Sequence, residues 1–196
     1  MFGKSGKELA IDLLLTGGWA LYAGAFMRRL LLGGGLVELG QLTAVTIFAI
    51  LFLVRRPSRH SGTTSETLLA LTGTFLPAAA QPAPGSFYWL GDLIQIAGLT
   101  GMVAAAISLG RSFGITPADR GLQTAGLYAW VRHPLYAMEM VFFIGYLVAH
   151  PSWRNCAVLV ADTIVQLLRI RREERILTGY PSYAGRVRWR LLPLVW

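Results

Sequence analysis

The stretch Gly126-Leu-Tyr-Ala-Trp-Val-Arg-His-Pro-Leu-Tyr136 lies between two apolar segments whose lengths approach that needed to cross a bilayer. It places an arginine, a histidine and two tyrosines where the chain re-enters the apolar region. Ionisable side chains are costly at that depth and usually have a function there. A second polar cluster, at residues 169–175, follows the next two apolar windows. The two clusters bracket a helical hairpin, which predicts one site built from both of its ends.

The composition predicts an integral membrane protein. Of the 196 residues, 54% are hydrophobic and 14% are charged, whereas a soluble domain carries about 25% charged residues. Apolar windows near the ~20 residues needed to span a bilayer occur at 9–32, 36–54, 66–81, 87–109, 135–150 and 153–170. We therefore expect an all-α, polytopic helical bundle of about six spans. The number is five if one of the short windows, 66–81 or 135–150, does not cross.

The distribution of basic residues predicts the orientation. With six spans both termini lie on one side, and of the 18 Lys and Arg residues only Arg28, Arg29 and Arg154 fall on the other. This asymmetry follows the positive-inside rule and places both termini and the loop 110–134 in the cytoplasm. The net charge of +8 then indicates orientation and contact with anionic lipids rather than nucleic-acid binding. The loop and the C-terminal segment are expected to cover the bundle on that side.

His133, Tyr136 and Glu139 are candidate site residues at the start of the fifth predicted helix. Pro134 suits a first helical turn, because its missing N–H would have no partner there anyway. The free N–H groups of this turn attract anionic groups. Residues three apart share a helix face, so Tyr136 lies beside His133 and Glu139 lies one turn deeper. An alternative interpretation is an interfacial anchor for the first two and a polar contact between helices for Glu139.

Glu173 and Glu174 follow the sixth apolar window, where the helix dipole disfavours carboxylates. The neighbouring arginines, among them Arg169, Arg171 and Arg172, can neutralise them as a solvated ion-pair cluster. In the functional interpretation one glutamate binds a cationic or hydroxyl-bearing ligand, and one arginine binds a carboxylate.

Other classes of site find no support in the sequence. Cys156 is the only cysteine, so no internal disulfide can form. Together with His60, His133 and His150 it shows no metal-ligand spacing. Neither a P-loop nor a Gly-x-Gly-x-x-Gly after a strand is present, so we expect neither of these common nucleotide sites.

These motifs resemble the isoprenylcysteine carboxyl methyltransferase family, which belongs with the membrane phospholipid methyltransferases. The resemblance covers residues 95–196 and rests on 109–113, 126–136, the helical hairpin, Glu173-Glu174, Tyr183 and Leu192-Pro193. It implies an integral-membrane enzyme that uses S-adenosylmethionine. Residues 1–196 then form a single membrane domain, with N-terminal spans in 1–94 and the catalytic methyltransferase core in 95–196.

The resemblance also implies the roles of individual residues. Those carried over as cofactor contacts are Leu122, Gln123, Tyr128, Arg132, His133, Pro134 and Leu135, with Tyr136 shaping the pocket and Glu174 preferred to Glu173 as the acidic contact. The family places a substrate-binding arginine shortly before the acidic pair, and Arg169, Arg171 and Arg172 compete for that role. The residues Arg120, Gly121 and Gln123 depart from the eukaryotic pattern.

The acceptor is expected to be a lipidic or small amphipathic molecule that enters from the bilayer. Its reacting atom stays open between oxygen, nitrogen and sulfur, as does the oligomeric state. A carboxylate acceptor needs an arginine such as Arg169 or Arg172 to orient it. An amine acceptor needs a base, for which Glu139, Glu173 and Glu174 are candidates.

Two other functions compete with the methyltransferase. One is a nicotinamide-dependent membrane reductase, because sterol-reductase-like proteins resemble this C-terminal region. The other is a non-enzymatic transporter or scaffold, favoured by carboxylates within the apolar windows.

Overall fold

The computed structural model describes residue 4 and residues 6–192; Pro193 of the C-terminal motif lies outside the described residues. The helices are α1 (Gly6–Leu31), α2 (Leu36–Val54), α3 (Thr64–Phe75), α4 (Tyr88–Leu109), α5 (Pro134–Ala149), α6 (Trp153–Ile176) and α7 (Tyr180–Arg186). In this part of the chain the only strands are β1 (His60–Ser61) and β2 (Ala118–Asp119), which pair antiparallel. The predicted all-α class is confirmed.

Each of the six apolar windows corresponds to one helix, from α1 to α6. Three of them, α1, α2 and α4, are long and apolar enough to cross a membrane. Helix α5 is a shorter apolar helix of 16 residues, and α3 has 12. Helix α6 has 24 residues, but its last turns carry the arginines and glutamates. The described residues therefore contain three candidate spans, and the total of six stays a prediction.

Helices α4 and α5 form a closely packed antiparallel pair. A Cβ atom added at Gly98 would lie 2.6 Å from the backbone nitrogen of Phe142, and one added at Gly91 would lie 2.6 Å from Cβ of Ala149. Gly145 is equally close to the backbone of α4. Small residues allow such close approach between helices in membranes. The packing brings the end of α4 and the start of α5 to the same end of the bundle, called here the site end.

The segment 64–81 runs the full length of the bundle although α3 itself is short. Near its start, Glu66 lies 3.8 Å from Arg172 close to the end of α6. Beyond α3, the carbonyl of Gln81 accepts a hydrogen bond of 2.8 Å from Asn155 at the start of α6. The segment thus joins the site end to the opposite end, here called the far end.

The site end is braced by contacts between sequence-distant segments. The backbone N–H groups of Arg132 and His133 donate to the carbonyls of Trp189 and Arg190, each at 2.8 Å. The fully buried carboxylate of Asp119 accepts from Thr178 Oγ1 at 2.6 Å. These bonds hold the loop between α4 and α5 against the C-terminal part of the chain.

Candidate active site

His133 and Glu174 meet at the site end, one from each end of the α5–α6 hairpin. Pro134 occupies the first turn of α5 and makes His133 the residue that caps the helix. His133 is buried, and its Nε2 lies 3.2 Å from Oε1 of Glu174. The sequence prediction that the two polar clusters converge is therefore matched by a direct contact.

Glu174 is surrounded by donors. Its carboxylate accepts hydrogen bonds of 3.1 Å from both Nε and Nη2 of Arg190 and a further one from the hydroxyl of Tyr180. Burial raises the pKa of Glu174, but the hydrogen bonds from His133 and Tyr180 and the charge of Arg190 lower it to about 2. The ionised carboxylate can only accept, so Nε2 of His133 carries a proton in this contact.

Glu173 has different surroundings, although it is the adjacent residue. It lines a small cavity, and its Oε2 accepts a hydrogen bond of 3.0 Å from the hydroxyl of Tyr136. Successive residues of a helix differ by about 100° in direction, so one glutamate turns into the cavity while the other turns toward α7. Glu173 therefore lines the cavity, whereas Glu174 lies behind the cavity wall and binds the polar side chains around it.

The cavity has a volume of about 50 Å³ and both polar and apolar walls. Most of the residues that the resemblance proposes as cofactor contacts line it, namely Leu122, Gln123, Tyr128, Arg132, His133, Leu135, Tyr136 and Glu173. Pro134 and Glu174 do not line it. Pro134 instead starts α5, and Glu174 positions His133, Tyr180 and Arg190.

Several lining residues were not proposed from the sequence as contacts, namely Leu109, Ser112, Gly114, Ala118, Arg120, Gly121, Leu177, Tyr180 and Tyr183. The hydroxyl of Tyr183 donates to the carbonyl of Tyr128 at 2.6 Å. Burial raises the pKa of Tyr183 to about 12, and burial with the hydrogen bond to Glu174 raises that of Tyr180. Tyr180 and Tyr183 could have been identified from the sequence, because they lie three residues apart and so share one face of a short helix that follows Glu173 and Glu174.

Among the three competing arginines, only Arg169 points into the bundle. Arg171 and Arg172 are exposed, and Arg172 lies near Glu66 at the surface. The buried guanidinium of Arg169 lies over the ring of Tyr136, with Cζ 5.1 Å from the ring centroid. It donates to the carbonyl of Ile115 at 3.2 Å. Arg169 therefore lies directly behind one wall of the small cavity.

A second, larger cavity of about 960 Å³ lies between α1, α2, α4 and α5. Its walls are mainly apolar, and residues such as Phe48, Leu99 and Phe142 contribute to them. Glu139 and Ile115 also line it, and the Glu139 carboxylate accepts a hydrogen bond of 2.8 Å from Gln166. Arg169 itself lines neither cavity. It contacts one wall residue of each, because Ile115 lines the large cavity and Tyr136 lines the small one.

Comparison with curated proteins gave no match. Residues 93–179, a little under half of the chain, match the model of the isoprenylcysteine carboxyl methyltransferase (ICMT) family. The matching segment holds most of α4, all of α5 and α6, and the loop that contributes most of the cavity wall. Helices α1 to α3 lie outside it. The family resemblance predicted from the sequence motifs is therefore confirmed over this segment, which is similar to membrane methyltransferases of the isoprenylcysteine carboxyl methyltransferase family.

Proposed function

We propose that the protein is an integral-membrane methyltransferase that uses S-adenosylmethionine to methylate a lipidic or small amphipathic acceptor. The observation that carries the proposal is the convergence of His133, Tyr136 and Glu173 on one cavity, with Glu174 in contact with His133 behind its wall. All four residues belong to the segment that matches the family.

The chemistry of the cavity wall fits the cofactor. Leucine and tyrosine side chains supply apolar and aromatic surface for an adenine ring, and Glu173, Arg120 and Arg132 supply charges of both signs for an amino-acid group. S-adenosylmethionine brings a methyl group that its sulfonium already activates for transfer. The main task of the protein residues is then to hold donor and acceptor in line, which lowers a barrier by about 7–11 kcal/mol.

The volume of the cavity implies movement on binding. Ligand pockets commonly measure about 300–1,000 Å³, whereas this cavity measures about 50 Å³. Loop residues Leu122 and Gln123, and Tyr180 and Tyr183 of helix α7, form part of its wall. We propose that these segments move outward to admit the cofactor and then exclude water from the reacting groups.

The large cavity is suited to the apolar part of the acceptor. It has the size and the apolar walls that a hydrocarbon chain requires, and it lies among helices of which three are candidate spans. Arg169 contacts a wall residue of this cavity, Ile115, and one of the small cavity, Tyr136. We propose that Arg169, rather than Arg171 or Arg172, orients the acceptor headgroup toward the donor.

A substitution of Glu139 distinguishes a carboxylate acceptor from an amine acceptor. Glu139 lines the large cavity and accepts a hydrogen bond from Gln166, which in turn accepts one from Arg169. A carboxylate acceptor is already ionised and needs no base, whereas an amine acceptor has to lose a proton. Replacing Glu139 with Gln should leave methylation of a carboxylate nearly unchanged and lower methylation of an amine about 10²-fold or more.

Calorimetry on the purified protein tests the cofactor assignment. We expect S-adenosylhomocysteine to bind, and His133→Ala and Tyr136→Phe to weaken binding more than Arg154→Ala does. Arg154 is a matched control because it lies at the far end, where it donates to the carbonyl of Ala79. NADPH in a parallel titration tests the reductase alternative. A folded protein that binds NADPH but not S-adenosylhomocysteine would contradict the proposal.

A further inference from the structure

Arg120 presents a buried cation to the small cavity. Its side chain is 8% exposed and lines the cavity, and its Nε is buried without a hydrogen-bond partner among the described residues. No ion pair formed within that part of the chain includes it. Burial and the charge of Arg55 lower its pKa to about 10, so the guanidinium stays protonated at neutral pH. A buried charge without a partner is costly, which points to an anionic ligand.

Arg55 adds a second cation behind the same wall. It is 4% exposed, and Asp12 accepts from its Nε at 2.7 Å, while its Nη1 is buried without a partner among the described residues. A Cβ atom added at Gly114 would lie 2.9 Å from Nη1 of Arg120 and 3.3 Å from Nη1 of Arg55. The two guanidinium groups therefore converge on Gly114, which lines the cavity.

The charge of Asp12 does not neutralise this pair. Its second carboxylate oxygen accepts from Nζ of Lys4, so this carboxylate faces two cations before Arg120 is counted. The carboxylate of Glu8 also interacts favourably with the charge of Arg120. The nearest acidic group in the cavity wall is Glu173, which influences Arg120 electrostatically without forming an ion pair with it. Because Arg120 and Glu173 line the same cavity without pairing, the cavity suits a ligand that carries both a negative and a positive charge.

We propose that Arg120, with Arg55 behind it, binds the carboxylate of a ligand in the small cavity. The inference rests on the proposed function and names a contact that the family resemblance does not supply, because Arg55 lies outside the matching segment and Arg120 departs from the eukaryotic pattern. The carboxylate comes from one of two sources, the amino-acid part of the methyl donor or the headgroup of the acceptor.

Two pairs of probes separate these sources. S-adenosylmethionine and decarboxylated S-adenosylmethionine differ only in the donor carboxylate. N-acetyl-S-farnesylcysteine and its methyl ester differ in a lipid-linked carboxylate. Binding of all four is measured by calorimetry on the wild type, Arg120→Gln and Arg120→Lys, with Arg154→Gln as the control at the far end.

For a donor carboxylate, we expect the wild type to prefer S-adenosylmethionine to its decarboxylated form by about tenfold or more, as for a charged hydrogen bond. Arg120→Gln should remove this preference, Arg120→Lys should restore part of it, and Arg154→Gln should keep it. Loss of the preference for the farnesylcysteine acid over its ester would instead support the acceptor as the source.

Two results contradict the inference in distinguishable ways. If the wild type binds S-adenosylmethionine and Arg120→Gln changes neither preference, the carboxylate contact is wrong and the methyltransferase proposal stands. If the wild type binds none of the probes, the proposed function fails as well. Should Arg120→Gln not fold, the same two preferences measured in Arg120→Lys decide the question, because lysine keeps the charge but cannot reproduce the guanidinium geometry.

Discussion

The two ends of the α5–α6 hairpin use polar residues in different ways. At the far end, Asn155 donates to the carbonyls of Gln81 and His150 at 2.8 and 2.7 Å, and Nδ1 of His150 lies 2.9 Å from the carbonyl of Ala83. At the site end, Arg55, Arg120, Arg132 and Arg169 each keep one buried side-chain nitrogen without a partner among the described residues. The far-end groups named here use their hydrogen-bonding capacity within the protein, whereas the four arginines of the site end keep some of it, as groups that receive a ligand would.

The largest effect is expected from Glu174→Gln, which removes the charge at the centre of the site end. His133, Tyr180 and Arg190 all contact this carboxylate. Removing one partner of a buried charged cluster costs about 3–5 kcal/mol, which is an upper bound here because Arg190 is 31% exposed. We expect a marked loss of thermal stability and at least a hundredfold loss of S-adenosylhomocysteine affinity. Thermal unfolding and calorimetry measure the two. Unchanged affinity would show that this cluster does not shape the cavity.

The next effect concerns Arg169→Gln, compared with Arg172→Gln. Of the two, Arg169 is the one that contacts wall residues of both cavities, so its replacement should raise the acceptor KM about tenfold or more while leaving cofactor affinity nearly unchanged. Arg172→Gln should change both values by less than about twofold, since exposed ion pairs contribute little. Steady-state methylation assays with varied acceptor check this. Equal losses of acceptor and cofactor binding in Arg169→Gln would contradict the role.

A smaller effect is expected at the far end from Asn155→Ala. Asn155 is buried, and its side chain is hydrogen-bonded to the segment before α4. Its loss should lower the free energy of unfolding by about 1–3 kcal/mol, because carbonyls are left unpaired. Cofactor affinity should not change. A simultaneous loss of S-adenosylhomocysteine binding would break the distinction between the two ends.

The last expected effect is a pH dependence of stability that comes from the same carboxylate at the site end. The pKa of Glu174 is about 2, below its ordinary value of 4.5. A depressed carboxyl pKa contributes stability that is present above about pH 4.5 and lost as the pH falls toward 2. The unfolding temperature of the wild type should therefore fall over this interval more steeply than that of Glu174→Gln. Parallel curves for the two proteins would contradict the depressed pKa.

The sequence predicts the residues of the site better than their arrangement. The pairing of His133 with the acidic pair follows from Pro134, which starts a helix, and from a hairpin that returns the chain to the same end. The different positions of Glu173 and Glu174 depend on the rotation of the last turn of α6 and on helix α7, which no periodicity in the sequence predicts. For the same reason the sequence could not choose Arg169 among the three arginines.

The role of the first two helices could not be predicted either. Arg55 and Arg120 are far apart in the sequence and meet only because α2 packs beside α4 and the following loop folds back over them. The apolar window 66–81 was predicted from the sequence, but helix α3 ends within this window at Phe75 and has only 12 residues. The remaining length of the window is covered by a short 3-10 turn at Leu76–Ala79 and extended chain.

The buried pair of Asp12 and Arg55 has a consequence for biogenesis. Each charge alone opposes the transfer of its helix from the translocation channel into lipid, and the two form an ion pair once α1 and α2 lie side by side. The two helices should therefore leave the channel together as a hairpin rather than one after the other. In nascent chains that end before Arg55 has left the ribosome, the first helix should therefore remain at the translocation channel and not enter the lipid.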